Sequence, residues 1–403
     1  MTESAGDTHG AAEASGLHAH APNGGHYDAV VIGGGPVGAA AALELQAAGF
    51  NLLLIEARAA AALSTDARPL ALSYGSRLIL ERLDVWEALA PATAIQRIHV
   101  SHRGRIGRAV LTAAEAGLPA LGYVVDYAGL VFALERRLEE MRVPTMRGAR
   151  VTSMAHDAAS ARLEYESPGG AGECYASLVI IADGNAEAAG IEVRVTDYGQ
   201  CALTARVTTE RPHAHTAYER FTPEGPLALL PSGDGYALVW TTTPERADWL
   251  CAASAEVFLT ELHARFGERL GRFTHVGPRA SHRVSLRTAQ HISAGRAVLI
   301  GNAAQALHPV AGQGFNLGLR DAWELASEMR RRGVHDQGLM ESYRLRRRID
   351  RAGGIAFTHT LNTIFSNDWL PVALARGAGL TFLDCAPPVK DFVVRRMVFG
   401  ARG

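Results

Sequence analysis

The chain has 403 residues, 48% of them hydrophobic and 20% charged, with a formal net charge of −1. That is ordinary globular composition, long enough for two or three domains or one large split one, and its balanced charge excludes a global field for nucleic acid. Cys174, Cys201, Cys251 and Cys385 form no CxxC pair, which excludes a disulfide framework and a dithiol redox centre and points to reduced, mostly buried thiols in a cytosolic protein.

Residues 1–26 are rich in Ala, Gly, Ser and His and lack the basic start and apolar block of a signal peptide. They read as a disordered tail whose histidines are solvated. Residues 28–32 (DAVVI) then read as a buried strand. The turn holding Gly33, Gly35, Pro36 and Gly38 follows, then a helix closed by Gly49 and a second strand, NLLLIEA, ending at Glu56. This is GxGxxG between a strand and a helix, with an acid 18 residues past Gly38. The glycines let the backbone approach a pyrophosphate, the helix N-terminus stabilises its charge, and Glu56 can accept ribose hydroxyls. An acid there repels a 2′-phosphate, so FAD or NAD fits this turn better than NADP. Arg58 is a candidate to lie against the adenosine, with solvated surface arginine as the alternative.

LVIIADGN (178–185) reads as another buried strand, ending in Asp183 and Gly184. CALTARVTT, TAYERFT, LALLP and YALVWTTT alternate or carry β-rich runs, and with the segment near 95–125 they predict an antiparallel sheet. Phe221, Leu229, Pro231 and Trp240 are candidates to line an aromatic pocket there, or plain core. RAVLIGNAA (296–304) is a third strand of the first kind, ending in Gly301 and Asn302. Ligands of such parallel sheets bind outside the carboxyl ends of the strands, so the three turns should meet around one extended cofactor.

The expected fold class is therefore α/β. A Rossmann-like dinucleotide-binding domain is split over 27–95, 126–190 and 285–350, with an antiparallel-sheet substrate domain over 96–125 and 191–284 and a C-terminal helical region over 351–403. Residues 315–333 and 338–360 read as helices. The arginines of the second, Arg344, Arg346, Arg347, Arg348 and Arg351, read as a solvated face. The tail VKDFVVRRMVFGARG is amphipathic and basic, suited to anionic lipid, to a partner, or to docking as a terminal helix. No apolar run reaches the roughly 20 residues of a membrane span. No metal constellation or Ser/His/Asp triad is evident.

Taken together, GxGxxG with its distant acid, the strand ending in Asp183 and Gly184, and GNAAQALHPVAGQGFNLG resemble the class A flavoprotein monooxygenases, the para-hydroxybenzoate hydroxylase fold, over residues 28 to about 350. DARPLALSYGSRLILERLDVW (66–86), ERFTPEGPLALLP (219–231) and GNAAQALHPVAGQGFNLGLRD (301–321) resemble the ubiquinone-biosynthesis hydroxylases within it, those acting on 2-polyprenyl-6-methoxyphenols; the Asn302 and Gln305 pair is a feature of that subgroup. The resemblance implies FAD as cofactor. Gly301 and Asn302 would lie at its ribitol and pyrophosphate, and His308 and Pro309 beside the isoalloxazine. Gly312, Gln313, Gly314, Phe315 and Asn316 would wrap the pyrimidine with backbone N–H groups at a helix start. Tyr127 is a candidate polar contact.

It also implies the chemistry. NAD(P)H, docking transiently, reduces FAD; a flavin C4a-hydroperoxide then delivers one oxygen of O2 to a polyprenylated methoxyphenol. His308 is the candidate acid or base, with a structural role as the alternative. Implied partners are O2, the prenylated phenol, other ubiquinone-biosynthesis proteins and, peripherally, the inner membrane. The family's Asp-Gly-x-x-Ser-x-x-Arg motif is broken, with Glu187 for Ser and Gly190 for Arg, which bears on the nicotinamide side. Hydroxylation of a soluble aromatic, prenyl-chain reduction, and a non-catalytic flavin-binding subunit stay open beside this reading.

Overall fold

The computed structural model describes residues 24–59, 68–89, 91–307, 312–365 and 370–401. Nearly all of the predicted tail, with His308 and Pro309, lies outside them. Among the described residues the strands form sheets of eight, nine and three strands.

The eight-stranded sheet is parallel at its centre. Gly25–Ile32 runs between Leu52–Glu56 and Gly170–Ile181, parallel to both, and Ala297–Leu299 adds on the far side of Gly170–Ile181. Strands covered on both faces must be apolar at successive positions, which is why DAVVI, LLLIE and LVII were legible as runs. The first strand starts at Gly25, three residues before the apolar run. Its backbone already pairs there with Cys174, and the His26 ring stacks on Tyr175 at 4.9 Å. Arg150–His156 and Ala161–Ser167 extend the sheet as an antiparallel hairpin on Gly170–Ile181.

Helix Pro36–Ala47 packs against helices Tyr127–Glu140 and Gln313–Arg332. Its run of alanines permits the close approach, and Glu44, buried among them, is paired with Arg330 at 3.0 Å.

The nine-stranded sheet is antiparallel except where Thr216–Thr222 runs parallel to Arg97–His102. Its longest strand, Val193–Thr209, pairs with Gly235–Thr242 and Ala280–Ala289. Helix Ala255–Phe266 packs on one face, where Leu229, Trp240 and Phe258 form a second core. Leu229 and Trp240 are thus core, and Pro231 does not line the site either. Phe221 points to the opposite face, because side chains alternate along a strand. The three-stranded sheet, Pro69–Ser73, Gly122–Asp126 and Thr93–Ile95, bridges the two larger ones.

Helices Leu339–Phe365, Leu370–Cys385 and Pro387–Phe399 end the chain. The last docks rather than standing free. Val394 and Val398 pack on Leu111 and Leu121, and Lys390 reaches Glu115 at 3.4 Å and Asp384 at 3.5 Å.

The arginine run departs from the expectation of a solvated face. Arg347 is 1% exposed and donates to Asp321 at 2.7 Å and to Asp350 at 2.6 Å. Arg351 turns inward to donate to Gln305 at 3.2 Å. Asp321, itself buried, also accepts from the Gly301 N–H at 3.0 Å and from Gln305 at 2.7 Å. One carboxylate thus holds the third strand-end turn to two helices. Removing Asp321 would leave the buried Arg347 with Asp350 alone and strip the Gly301 N–H and Gln305 of their acceptor. Asp321→Ala should therefore destabilise the cofactor-free protein by about 3–5 kcal/mol, read from the denaturation midpoint. An unchanged midpoint would mean the turn is held by something else.

Candidate functional site

The first turn is built by close approach. Gly33 has φ +100°, and a Cβ there would stand 2.7 Å from the Asp183 nitrogen; at Gly38 it would stand 1.9 Å from the Gly33 carbonyl oxygen. Glycine is required at both, so the first strand end can touch the second. Gly35 differs. It caps helix Pro36–Ala47 with no side-chain hydrogen bond, and no protein atom lies within 4 Å of where its Cβ would be. The orphan N–H groups of that helix start, with no acid in the first turn, face open space.

Glu56 is nearly fully buried at the rim of this turn. Its carboxylate accepts from the Gly34 N–H at 2.6 Å, from the Arg58 N–H at 2.7 Å and from Arg58 Nε at 2.9 Å. Burial opposes its charge, but the Arg58 hydrogen bonds, the Arg58 charge and the Gly34 N–H together hold the carboxyl below the usual carboxylate range. Arg58 is therefore tied to Glu56 while lining the site. Asp183 behaves oppositely: burial raises its carboxyl, against the hydrogen bond it accepts from the Asn185 N–H at 2.9 Å.

One cavity of about 1210 Å³ gathers the predicted residues. Gly33, Gly35, Pro36, Glu56, Arg58, Asp183, Gly184, Gly301, Asn302, Gly312, Gly314, Phe315, Asn316 and Tyr127 all line it. Gly38 does not, because it packs inward on Gly33. His308 and Pro309 fall outside the described residues.

The 312–316 turn starts helix Gln313–Arg332. Gly312 is left-handed at the N-cap, without a side-chain cap and with no acid in the first turn. Asn316 is committed to protein. Its oxygen accepts from the Ser73 N–H at 2.8 Å and the Ser76 hydroxyl at 2.7 Å, and its nitrogen donates to Ala71 at 3.0 Å and Gly312 at 2.8 Å. It positions the turn against strand Pro69–Ser73. Gly314 has no positive φ, and the nearest atom to its would-be Cβ lies at 3.9 Å, so its smallness keeps cavity space free rather than relieving strain.

These features fit FAD. Two uncapped helix N-termini bracket the cavity, suited to a diphosphate and to the electron-rich carbonyl edge of a flavin. Glycines stand where side chains would fill the space.

From this polar end the cavity continues under the nine-stranded sheet, where Ile98, Val100, Phe221, Leu230, Leu380 and Met397 line it. One residue there escaped the sequence reading. Glu219 is buried, its Oε1 has no hydrogen-bond partner among the described residues, and burial pushes its carboxyl up to about 7. The signal was present in TAYERFT: with period 2, Ala217, Glu219 and Phe221 share one face, an acid between two apolar residues.

The family described as FAD binding domain matches residues 26–353. The ubiquinone hydroxylase UbiL of Rhodospirillum rubrum is 36% identical over 386 residues, covering 91% of this chain and 88% of that protein. The 3-demethoxyubiquinol 3-hydroxylase of Escherichia coli is 32% identical over 381 residues, covering 89% and 95%. The crystal structure of p-nitrophenol 4-monooxygenase from Pseudomonas putida superposes with a TM-score of 0.73, over 94% of this chain and 100% of that one, at 20% identity.

Two outcomes are expected. Gly35→Val should cost the cofactor-free protein only about 1 kcal/mol as a poorer cap, yet weaken FAD binding about tenfold or more in a fluorescence titration, a loss of about 1.4 kcal/mol. Undiminished FAD affinity would remove the phosphate from this turn. Glu219→Gln should gain stability over the wild type as pH rises. Burial raises the folded carboxyl to about 7, above the ordinary glutamate value of 4.5, so the wild type keeps its full stability below that lower value and loses it as pH climbs towards 7. The Tm difference between the two should grow by a few degrees between about pH 5 and about pH 8; a constant difference would mean that Glu219 is solvated.

Proposed function

The chain belongs to the FAD binding domain family, and from that premise we propose that it is an FAD-dependent aromatic hydroxylase of ubiquinone biosynthesis, acting on a polyprenylated methoxyphenol. The observation that carries this reading is the single cavity, polar at the strand ends and apolar beneath the nine-stranded sheet. A flavin at the first end leaves the second for a ring with a hydrocarbon tail. When bound, FAD accepts two electrons from NAD(P)H and activates O2, so that one oxygen enters the ring and the other leaves as water. The chain's own work is to bind the diphosphate through the helix start at Pro36, hold the flavin edge at 312–315, and exclude water with the sheet and the terminal helices. The division into a cofactor part (27–95, 126–190, 285–350) and a substrate part (96–125, 191–284) belongs to this proposal.

Delivery of a prenylated substrate calls for a membrane. No helix among the described residues is long and apolar enough to cross one. Beside the apolar cavity wall formed by Leu380, Leu383 and Met397, helices Leu370–Cys385 and Pro387–Phe399 expose Phe382 and Phe392, each 63% exposed, with Leu374 and Ile106 nearby in the fold. This supports peripheral seating at the inner membrane, beside other enzymes of the pathway.

The test incubates FAD-loaded protein with NAD(P)H, a 2-prenyl-6-methoxyphenol and isotopically labelled O2. One labelled oxygen in the product, with nucleotide oxidation stimulated by the phenol, is expected. Nucleotide oxidation that ignores the phenol and yields no product would overturn the reading.

A further inference from the structure

The inward face of strand Thr216–Thr222 joins the two ends of the cavity. At one end Ala217 packs on Ile95 and Val124 of the three-stranded sheet. Val124 pairs with Ala71, whose carbonyl accepts from Asn316 of the 312–316 turn. At the other end Phe221 packs on Leu380 of the C-terminal helices. Glu219 lies between, about 7 Å from each along the strand. Its ladder neighbours are Val100 and Ala228, both apolar. A carboxyl on an apolar face with an unpaired buried oxygen is destabilising, and Leu or Gln would pack there at less cost. Its placement makes sense when a ligand hydroxyl completes its hydrogen bonding.

Resting on the hydroxylase reading, we propose that Glu219 is a catalytic residue, the base that takes the phenolic proton of the substrate while the tail lies past Phe221. The O–H pair stays on the phenol oxygen as the proton moves to the Glu219 carboxylate. That electron density passes into the ring, and a ring π pair forms the new C–O bond to the oxygen that reduced flavin and O2 supply. As that bond forms the O–O bond breaks, and its electron pair stays on the second oxygen. That oxygen takes the proton leaving the attacked carbon and, with a second proton from the reduced cofactor, departs as water. The C–H pair restores the aromatic ring, and Glu219 returns its proton to the phenol oxygen. The carboxyl ends as it began, and the two electrons come from NAD(P)H.

The titratable groups around Glu219 add little charge. On the adjoining strand Arg97–His102, burial first and then the Arg269 charge push His99 down to about 4, leaving it neutral; His102 lies two residues past Val100 on that strand. On its own strand Tyr218 and Arg220 alternate to the other face, and strand Gly225–Ser232 brings no ionisable side chain; helix Leu370–Cys385, which packs on Phe221 through Leu380, carries the buried Arg376 one turn earlier.

The test uses FAD-loaded wild type, Glu219→Gln, Glu219→Asp and Glu219→Leu, the last chosen because Leu suits the apolar face. In the wild type, kcat should rise with pH through about 7 as the carboxyl loses its proton. Glu219→Gln should lose that limb and about 100-fold or more of kcat, with KM less affected; Glu219→Asp should keep the limb with part of the rate. In calorimetry the wild type should prefer a 2-prenyl-6-methoxyphenol over its methyl ether about tenfold, and Glu219→Leu should erase the preference. A Gln variant with wild-type kcat and pH profile, or a wild type without preference for the phenol, would overturn the assignment. If the wild type hydroxylates no phenol, the hydroxylase reading falls separately; a phenol preference lost in Glu219→Leu would still support the Glu219 contact.

Discussion

The site depends on a buried carboxylate, Asp321, that does not itself line the cavity. Asp321 accepts from the Gly301 N–H, from Gln305 and from Arg347, and so fixes the end of the third strand against two helices. The constraint behind it is general to parallel sheets. The binding edge is made of turns far apart in sequence, and each must be held to fractions of an ångström without side chains in the way. Here the first turn is held to the second by the absence of side chains, at Gly33 against Asp183. The third is held by charge, and the fourth, at 312–316, by the four hydrogen bonds of Asn316.

The two halves of the cavity follow opposite electrostatic rules. At the dinucleotide end, charges are compensated: Glu56 has Arg58 and two backbone N–H groups, and the helix starts supply partial positive charge. Under the nine-stranded sheet the walls are apolar, and Glu219 Oε1 has no hydrogen-bond partner there among the described residues. The same residue type is thereby held below the usual range in one half and raised to about 7 in the other. Two carboxyls pushed apart by their surroundings are suited to different tasks, one permanently ionised and structural, one able to exchange a proton near neutrality.

What the sequence made legible were the local demands. GxGxxG announces itself because φ +100° at Gly33 and the contact at Gly38 leave no other residue type. The runs DAVVI, LLLIE and LVII read as strands because both faces are covered. The family resemblance extended this to the whole α/β architecture. What stayed hidden were the long-range pairings. Arg347 reads as one more arginine in a charged run until Asp321, 26 residues away, is placed beside it. Asn316 reads only as part of the turn that would wrap the flavin with backbone N–H groups; that Ser73 and Ser76, more than 200 residues earlier, take its side-chain oxygen is invisible in the sequence. In the antiparallel sheet, alternation shows that two faces exist but not which one meets the cavity. Trp240 and Leu229 went to the second core, and Glu219 to the site.

A structure of the FAD-bound protein tests most directly the claim that these separated turns form one cofactor cradle. The account predicts the diphosphate on the N–H groups beside Gly35 and Pro36, and the flavin ring against residues 312–315. Glu219 should then face the space beyond the ring. A diphosphate seated away from the Pro36 helix start, or a flavin ring out of reach of the 312–315 backbone, would contradict it.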